Sequence, residues 1–374
     1  MNICIFCHSI LSDWNHGNAH FMRGIAAELT LRGHRVRFFE NQDAWSIRNL
    51  LRDYGEPVIA EVKSVYPCLE VVRYDGCSPN LEEMLDQELE TADLVLVHEW
   101  SPQELVRKIG EHRKRSGSYR LFFHDTHHRS ITDPESMAAY DLSHYDGVLV
   151  FGEAIRAVYL ARSWADHVWT WHEAADIRMF RPEGSDLTQG PPQLRQADLV
   201  WIGNWGDDER TEELNEFLID PVRSLQLQAC VYGVRYPAAA RSRLQSASIH
   251  YGGWIPNYRV PNIMAHHRAT VHIPRRPYAE ALPGIPTIRV FEALACAIPL
   301  VSAWWSDSEG LFNPGQDYLV ARNGAEMKKH LSEILSDHAF AASLARSGLQ
   351  RILSRHTCKH RVDELLEIYR SNFV

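Results

Sequence analysis

No run in this 374-residue chain is long and apolar enough to suggest a membrane span, although 45% of its residues are hydrophobic. The apolar residues come in short blocks, as in a globular protein. A basic excess is also missing. The net charge of −9 argues against non-specific nucleic-acid binding, which needs a basic face. Small anions stay open, because a pocket can be basic while the whole is acidic. The opening MNICIFCHSI carries no basic n-region, so it reads as a buried strand and not a signal peptide. The cysteines Cys4, Cys7, Cys68, Cys77, Cys230, Cys296 and Cys358 are scattered, the usage of reduced thiols in a cytoplasmic protein. Cys4 and Cys7 form C-x-x-C, but inside a strand they point to opposite faces, so two small core residues is the reading. The chain has no G-x-G-x-x-G, which disfavours a nicotinamide-linked dehydrogenase. It has no G-x-S-x-G, which disfavours a serine hydrolase. No repeat of fixed period is present, which excludes a solenoid.

What is there is an alternation of strands and helices. Asn2–Cys7, Arg35–Phe39, Leu94–Val97, Arg120–His124, Gly147–Phe151 and His167–Trp171 read as short buried strands. Asn18–Arg32 reads as a helix with Phe21, Ile25 and Leu29 on one face, stopped by Gly33 in a left-handed C′ position. Ser101-Pro102-Gln103-Glu104 reads as a capping box. Residues 172–197, with Gly190-Pro191-Pro192, form the best linker in the chain. The alternation restarts at Asp198–Ile202 and continues at Gln228–Tyr232, Thr270–Ile273 and Leu300–Ala303. Length and pattern together predict two α/β domains with doubly wound parallel sheets, whose ligands sit outside the carboxyl ends of the strands. The expected boundaries are 1–172, a linker 173–197, 198–356 and a C-terminal helix within 357–374.

The candidate site residues lie on loops after those strands. Pro283 to Trp305, PGIPTIRVFEALACAIPLVSAWW, reads as a Gly/Pro loop, a helix from Thr287 to about Ala297 and a strand at Leu300–Ala303. A glycine loop (Gly284, Ile285, Thr287) opening into a helix offers free N–H groups and a partial positive charge, which suit a phosphate. Glu292, more than a turn into the helix, cannot bind phosphate but can accept hydrogen bonds from sugar hydroxyls. Arg275 and Arg276 add positive charge nearby. In WIGNWGDDERTEEL, Gly203 and Asn204 end a strand, and Arg210 either pairs with Asp207 or Glu213 or reaches a pyrophosphate. Tyr232 and Trp254 sit on glycine-bearing turns, either as a base-stacking platform or as buried turn aromatics. In the first domain, RLFFHDTHHR puts His124 and Asp125 at a strand end, with His127 and His128 following. Metal binding, a solvated loop and acceptor positioning or proton transfer are the alternatives there. DWNHGNAHFMRG places His16, Gly17, Asn18 and His20 at a helix start, where backbone can approach a phosphate and Asn18 can cap the helix.

With these residues in place, the chain resembles GT-B glycosyltransferases of the family 4 type, and among them the CgeB-like, spore-maturation-protein-like group. GNAHFMRGIAAELTLRGHRV is similar to the family's opening loop, helix and turn. FFHDTHH resembles its strand-end histidine, DIRMFRP its domain crossing, TIRVFEALACAIPLVSA its donor helix, and HTCKHRVDELLEIY its terminal helix. The resemblance implies two Rossmann-like domains facing across a cleft, with the C-terminal helix packing back on the N-terminal domain. It implies transfer of a sugar from a nucleoside-diphosphate sugar to an acceptor, retaining and metal-independent, without nucleic acid as a partner. The acceptor is a saccharide, a protein, a lipid-linked glycan or a metabolite. Donor contacts fall to Gly17, Asn18, Gly203, Asn204, Arg210, Tyr232, Trp254, Arg275, Arg276, Gly284, Ile285, Thr287 and Glu292. Acceptor contacts fall to His16, His20, His127 and His128, and catalysis to His124 and Asp125. No metal site and no cofactor are expected. The family's E-x7-E is broken, with Gly284 at its first position and Glu292 at its second. A nucleotide-sugar epimerase and a non-catalytic sugar-nucleotide-binding protein are the rival readings.

Overall fold

Residues 1–183 and 197–371 are described in the computed structural model. They form two compact units, Met1–Glu173 with Cys358–Val374, and Ala174–Thr357. The expected linker falls largely on 184–196, outside the described residues.

Among the described residues the first unit is built on β1 (Asn2–Cys7), β2 (Arg35–Asn41), β3 (Glu70–Tyr74), β4 (Leu94–His98), β5 (Arg120–Asp125), β6 (Gly147–Val150) and β7 (Val168–Thr170). Their order is β3-β2-β1-β4-β5-β6-β7, and every ladder is parallel. LVLVH in β4 is buried at every position, as a strand covered by helices on both faces must be. The first helix, Asn18–Leu31, ends on a Schellman motif: Gly33 N–H donates to Thr30 O and His34 N–H to Leu29 O, with Gly33 at φ +80°. The C-terminal helix, Cys358–Arg370, packs against this first helix. Arg32 pairs with Asp363 at 2.6 Å, and fully buried Trp171 donates its indole N–H to Arg361 O at 2.8 Å. The chain's last helix therefore completes the first unit's core, as the resemblance implied.

The second unit has β8 (Ala197–Ile202), β9 (Ala229–Tyr232), β10 (His250–Tyr251), β11 (His267–His272), β12 (Leu300–Ala303) and β13 (Leu319–Ala321), in the order β10-β9-β8-β11-β12-β13 and again all parallel. Its core gathers Trp201, Trp205, Phe217, Val231, Val271 and Val301 among others. In both sheets the first strand has neighbours reached by chain running in opposite directions. The crevices beside β1/β4 and β8/β11 are thus the topological switch points where doubly wound sheets take ligands.

Three local expectations are corrected. The capping box does not form. The helix is Gln103–Ser116 with Pro102 at its N-cap and no side-chain cap bond. Ser101 N–H is already given to His98 O at 2.8 Å, and Glu104 grips Arg107 through both oxygens at 3.0 and 2.6 Å. Asn18 does not cap the first helix either; Gly17 is the N-cap residue and the Asn18 amide makes no cap bond. The helix after the Gly284 loop is Ile288–Ala295, shorter than the sequence pattern suggests, because Thr287 is its extended N-cap residue (ψ 160°) and Ala297 turns left-handed at φ +51° beyond its end.

Candidate functional site

In the second unit the carboxyl ends of β8 and β11 are joined by Arg210. Its guanidinium donates to Asn204 O, to Ile273 O at 3.0 Å and, weakly, to Trp205 O at 3.4 Å, and it lies 5.2 Å from the Trp201 ring centre. The carboxylates that might have neutralised it are spent elsewhere. Glu213 holds Arg276 at 2.6 Å with Glu212 behind it at 3.5 Å, and Glu209 holds Arg275 at 3.0 Å. Arg210 therefore makes no ion pair among the described residues. Burial, then the neighbouring Arg275, pushes its pKa down to about 9. A cation held this way is short of one negative charge. The pairing with Glu213 gives way to carbonyls, the side chain of Asp207 lies outside the described residues, and Arg275 and Arg276 are tied to carboxylates.

Beside Arg210 the β11 end carries His272, buried between Ser302 Oγ (2.8 Å) and Thr287 Oγ1 (3.0 Å). Burial, with Arg210 and Arg289 nearby, pushes its pKa down to about 3, so it is neutral at pH 7. Through Thr287 it fixes the start of helix Ile288–Ala295 against the β11 end. Gly284 has φ +90°, and its N–H donates to Ser306 O at 2.6 Å. A Cβ there would lie 2.4 Å from Glu309 Oε1, so a carboxylate from the β12–β13 connection fills the space beside residue 284. Ile285 is buried. Glu292 is fully buried in the helix against the Arg289 guanidinium. Asn204 Oδ1 accepts from Val234 N–H at 2.9 Å, and Gly203 O accepts from the Tyr236 hydroxyl at 2.7 Å, so these two residues knit neighbouring loops together. Tyr232 and Trp254 are half-buried. Arg289 and His272 escaped the sequence reading. The spacing of Arg289 three before Glu292 and the strand-end polar residue in TVHIP were the signals available.

In the first unit the carboxyl ends of β1, β4 and β5 bring histidines together. Ring centres are 5.3 Å apart for His8 and His16, 6.1 Å for His16 and His98, and 5.6 Å for His98 and His124. Trp171 backs His124 at 4.9 Å. Asp125 accepts from the Tyr159 hydroxyl at 3.0 Å and from His127 N–H at 3.1 Å, and burial with Glu99 nearby pushes its pKa up to about 8. His20 is buried in the first helix, His127 stands against Trp100 at 5.1 Å, and His128 Nδ1 is bonded to Thr132 at 2.8 Å. His124, Asp125 and His16 thus share one sheet edge. His8, His98 and Glu99 belong with them, and each follows an apolar run (ICIFCH, LVLVHE) as His124 follows RLFF. Among the described residues no three metal-ligating side chains converge. A groove of about 520 Å³ lined by Arg156, His167, Trp169 and Glu364 holds none of these candidates.

Residues 210–367 match the family described as "Glycosyl transferase-like". No curated protein matches the chain. Solved structures match it nearly end to end. Sucrose-phosphate synthase from Thermosynechococcus elongatus has a TM-score of 0.66 at 15% identity, over 99% of this chain and 98% of that one. HepE from Anabaena, in complex with UDP and glucose, has 0.67 at 14%, over 98% and 99%. An alpha-glucosyltransferase in complex with UDP and a 13-mer DNA has 0.71 at 11%, over 99% and 100%. The fold is therefore of the GT-B type, two Rossmann-like units with parallel sheets. No helix among the described residues is long and apolar enough to cross a membrane.

Proposed function

We propose that this chain is a glycosyltransferase that takes a sugar from a nucleoside diphosphate, the second unit holding the donor and the first the acceptor. The observation that carries the reading is Arg210, a guanidinium fixed by carbonyls at the β8/β11 switch point and lacking a carboxylate among the described residues. A diphosphate supplies the missing negative charge in bidentate fashion. In transfer, the bond from the anomeric carbon to the phosphate oxygen breaks and its electrons stay on the diphosphate. The acceptor hydroxyl bonds to that carbon and gives up its proton. Arg210 and the first N–H groups of helix Ile288–Ala295 meet the growing charge without a divalent cation. Glu292 is assigned to the ribose hydroxyls, for which Arg289 must swing away. His124, with a pKa held well below the ordinary value by burial and by His98, is a poor base. That favours retention, with a donor phosphate oxygen taking the proton. The family 4-like, CgeB-like assignment rests on FFHDTHH and TIRVFEALACAIPLVSA. The two relatives solved with UDP make UDP-sugars the first donors to try.

The test is a thermal-shift screen of UDP, GDP, dTDP and their common sugar conjugates with EDTA present. One nucleotide class is expected to raise Tm through linkage. No shift with any of them overturns the reading.

A further inference from the structure

The loop before helix Ile288–Ala295 has little to give a phosphate. The sequence suggests free N–H groups at Gly284 and Ile285, but the structure spends both, on Ser306 O at 2.6 Å and on Leu282 O at 3.3 Å, and Pro286 has none. That leaves the N–H groups from Thr287 onward, with Arg210, for a diphosphate. The Thr287 hydroxyl is committed too. Ser302 gives its hydroxyl proton to Ala303 O at 2.7 Å, so His272 Nδ1–H is the donor to Ser302 Oγ at 2.8 Å. The neutral imidazole then carries its lone pair on Nε2, which accepts the Thr287 O–H at 3.0 Å. Thr287 Oγ1 keeps only lone pairs for a ligand.

At the other end of the loop stands a carboxylate. Gly284, at φ +90°, leaves open the space of a side chain, and the Glu309 carboxyl group fills it. The turn that delivers Glu309 is fixed. Asp307 accepts from Leu311 N–H at 3.0 Å and from Phe312 N–H at 2.8 Å, and Gly310, at φ +63°, donates its N–H to Asp307 O at 3.2 Å. Burial, and then Glu309 nearby, raise the pKa of Asp307, a second acid on this turn. Arg355 meets the turn at Gly310 O, at 3.5 Å.

The two ends of the loop therefore differ in kind. Arg210 donates to Ile273 O, and His272, one residue earlier, holds Thr287, so the cation and the helix start share the end of β11. From Thr287 to Gly284 the side-chain groups are hydrogen-bond acceptors, ending in Glu309. A second anion placed there would meet like charge. Hydroxyl groups supply the protons that a carboxylate accepts, and its two oxygens can take a neighbouring pair. A nucleoside-diphosphate sugar with its diphosphate on Arg210 has two ends. Glu292 is assigned to the ribose, which leaves the transferred sugar for Glu309.

We propose that Glu309 reads the hydroxyls of the transferred sugar and excludes donors whose sugar carries a carboxylate, so that the donor sugar is neutral. This inference rests on the glycosyltransferase reading and adds to it the class of sugar and the residue that selects it. The selection is by repulsion as much as by contact.

The test is calorimetric titration of the full chain, with EDTA present, by UDP, UDP-glucose, UDP-galactose and UDP-glucuronic acid. Wild type, Glu309→Gln and Glu309→Asp are compared, with Tm without ligand measured on each as a check of the fold. Wild type is expected to bind a neutral UDP-sugar about tenfold or more tightly than UDP-glucuronic acid. Glu309→Gln keeps the shape and removes the charge. It should weaken the neutral sugar about tenfold, close the gap to UDP-glucuronic acid to within about threefold and leave UDP within about threefold of wild type. Glu309→Asp, still charged, should go on excluding the uronic acid. Equal binding of every ligand by Glu309→Gln and wild type overturns the proposal, because Glu309 would then only fill space beside Gly284. Equal weakening of UDP and UDP-glucose overturns it as well, since Glu309 would face the nucleotide, and so does tight binding of UDP-glucuronic acid by wild type. UDP binding without discrimination among the sugars sinks this inference alone; no shift with any nucleotide in the thermal-shift screen sinks the glycosyltransferase reading and this inference with it.

Discussion

Arg210→Met separates a ligand-binding charge from a structural one. A guanidinium whose pKa burial pushes down to about 9 is disfavoured in its charged form by about 5 kcal/mol, at about 1.4 kcal/mol per pH unit. Methionine keeps the packing of the stem beside Gly206 and removes the charge. Against that gain, three carbonyls lose a donor, at about 1 kcal/mol net each. The balance is a gain of about 2 kcal/mol, in line with other replacements of buried charge by apolar groups. For a unit of this size that raises Tm by about 4–8 °C without ligand. The ligand response moves the other way. A nucleoside diphosphate at 100 times its Kd stabilises wild type by about 2.7 kcal/mol, which is about 5–10 °C. Losing the charge-assisted contacts weakens binding about a hundredfold, leaving about 0.4 kcal/mol, or roughly 1 °C, at the same concentration. Differential scanning fluorimetry with and without UDP reads both numbers. A variant that loses more than about 5 °C without ligand and keeps the full UDP shift refutes the argument, because Arg210 would then be only a cap for carbonyls.

Two further outcomes are expected. Stability should peak near pH 6.5. Burial depresses His8, His98 and His272 to about 3 and His16 and His124 well below the ordinary value, so unfolding takes up protons and stability falls as pH drops below about 6.5. Burial raises Glu99 and Asp125 to about 8, so between their unfolded values and pH 8 unfolding releases protons and stability falls as pH rises. Five histidines outweigh two carboxyls below about pH 6.5, and above it the histidine contribution fades until the carboxyls dominate; a Tm that keeps climbing through pH 8 contradicts this. Gly284→Ala should cost about 2 kcal/mol, from φ +90° and from the 2.4 Å approach to Glu309 Oε1. Adding Glu309→Ala should recover the steric part but not the backbone part in a double-mutant cycle; full recovery, or none, contradicts the geometry.

Much of the fold was legible because its signals are local. Gly33 ends a helix through bonds spanning five residues, and ICIFC, LVLVH and GVLV are apolar because helices cover both faces of their strands. β3, β10 and β13 were not legible. Each is an edge strand or a two- or three-residue piece, and it exists only because a neighbour supplies the ladder. The capping box failed for a similar reason: Arg107 and His98 O were better partners for Glu104 and Ser101 N–H than each was for the other.

The sequence by itself determined two α/β units, the strand-end loops that carry the polar residues, and Arg210 and His124 as residues to watch. Periodicity and strand-end position follow from the backbone's own geometry. Only the tertiary structure decided what those residues face. Arg210 meets Ile273 O across 63 residues of chain while Arg275 and Arg276 take the acids. Histidines from three separate strands and a loop meet at one edge. Charge balance and burial are properties of neighbours in space, and a parallel sheet brings together segments that the chain keeps far apart.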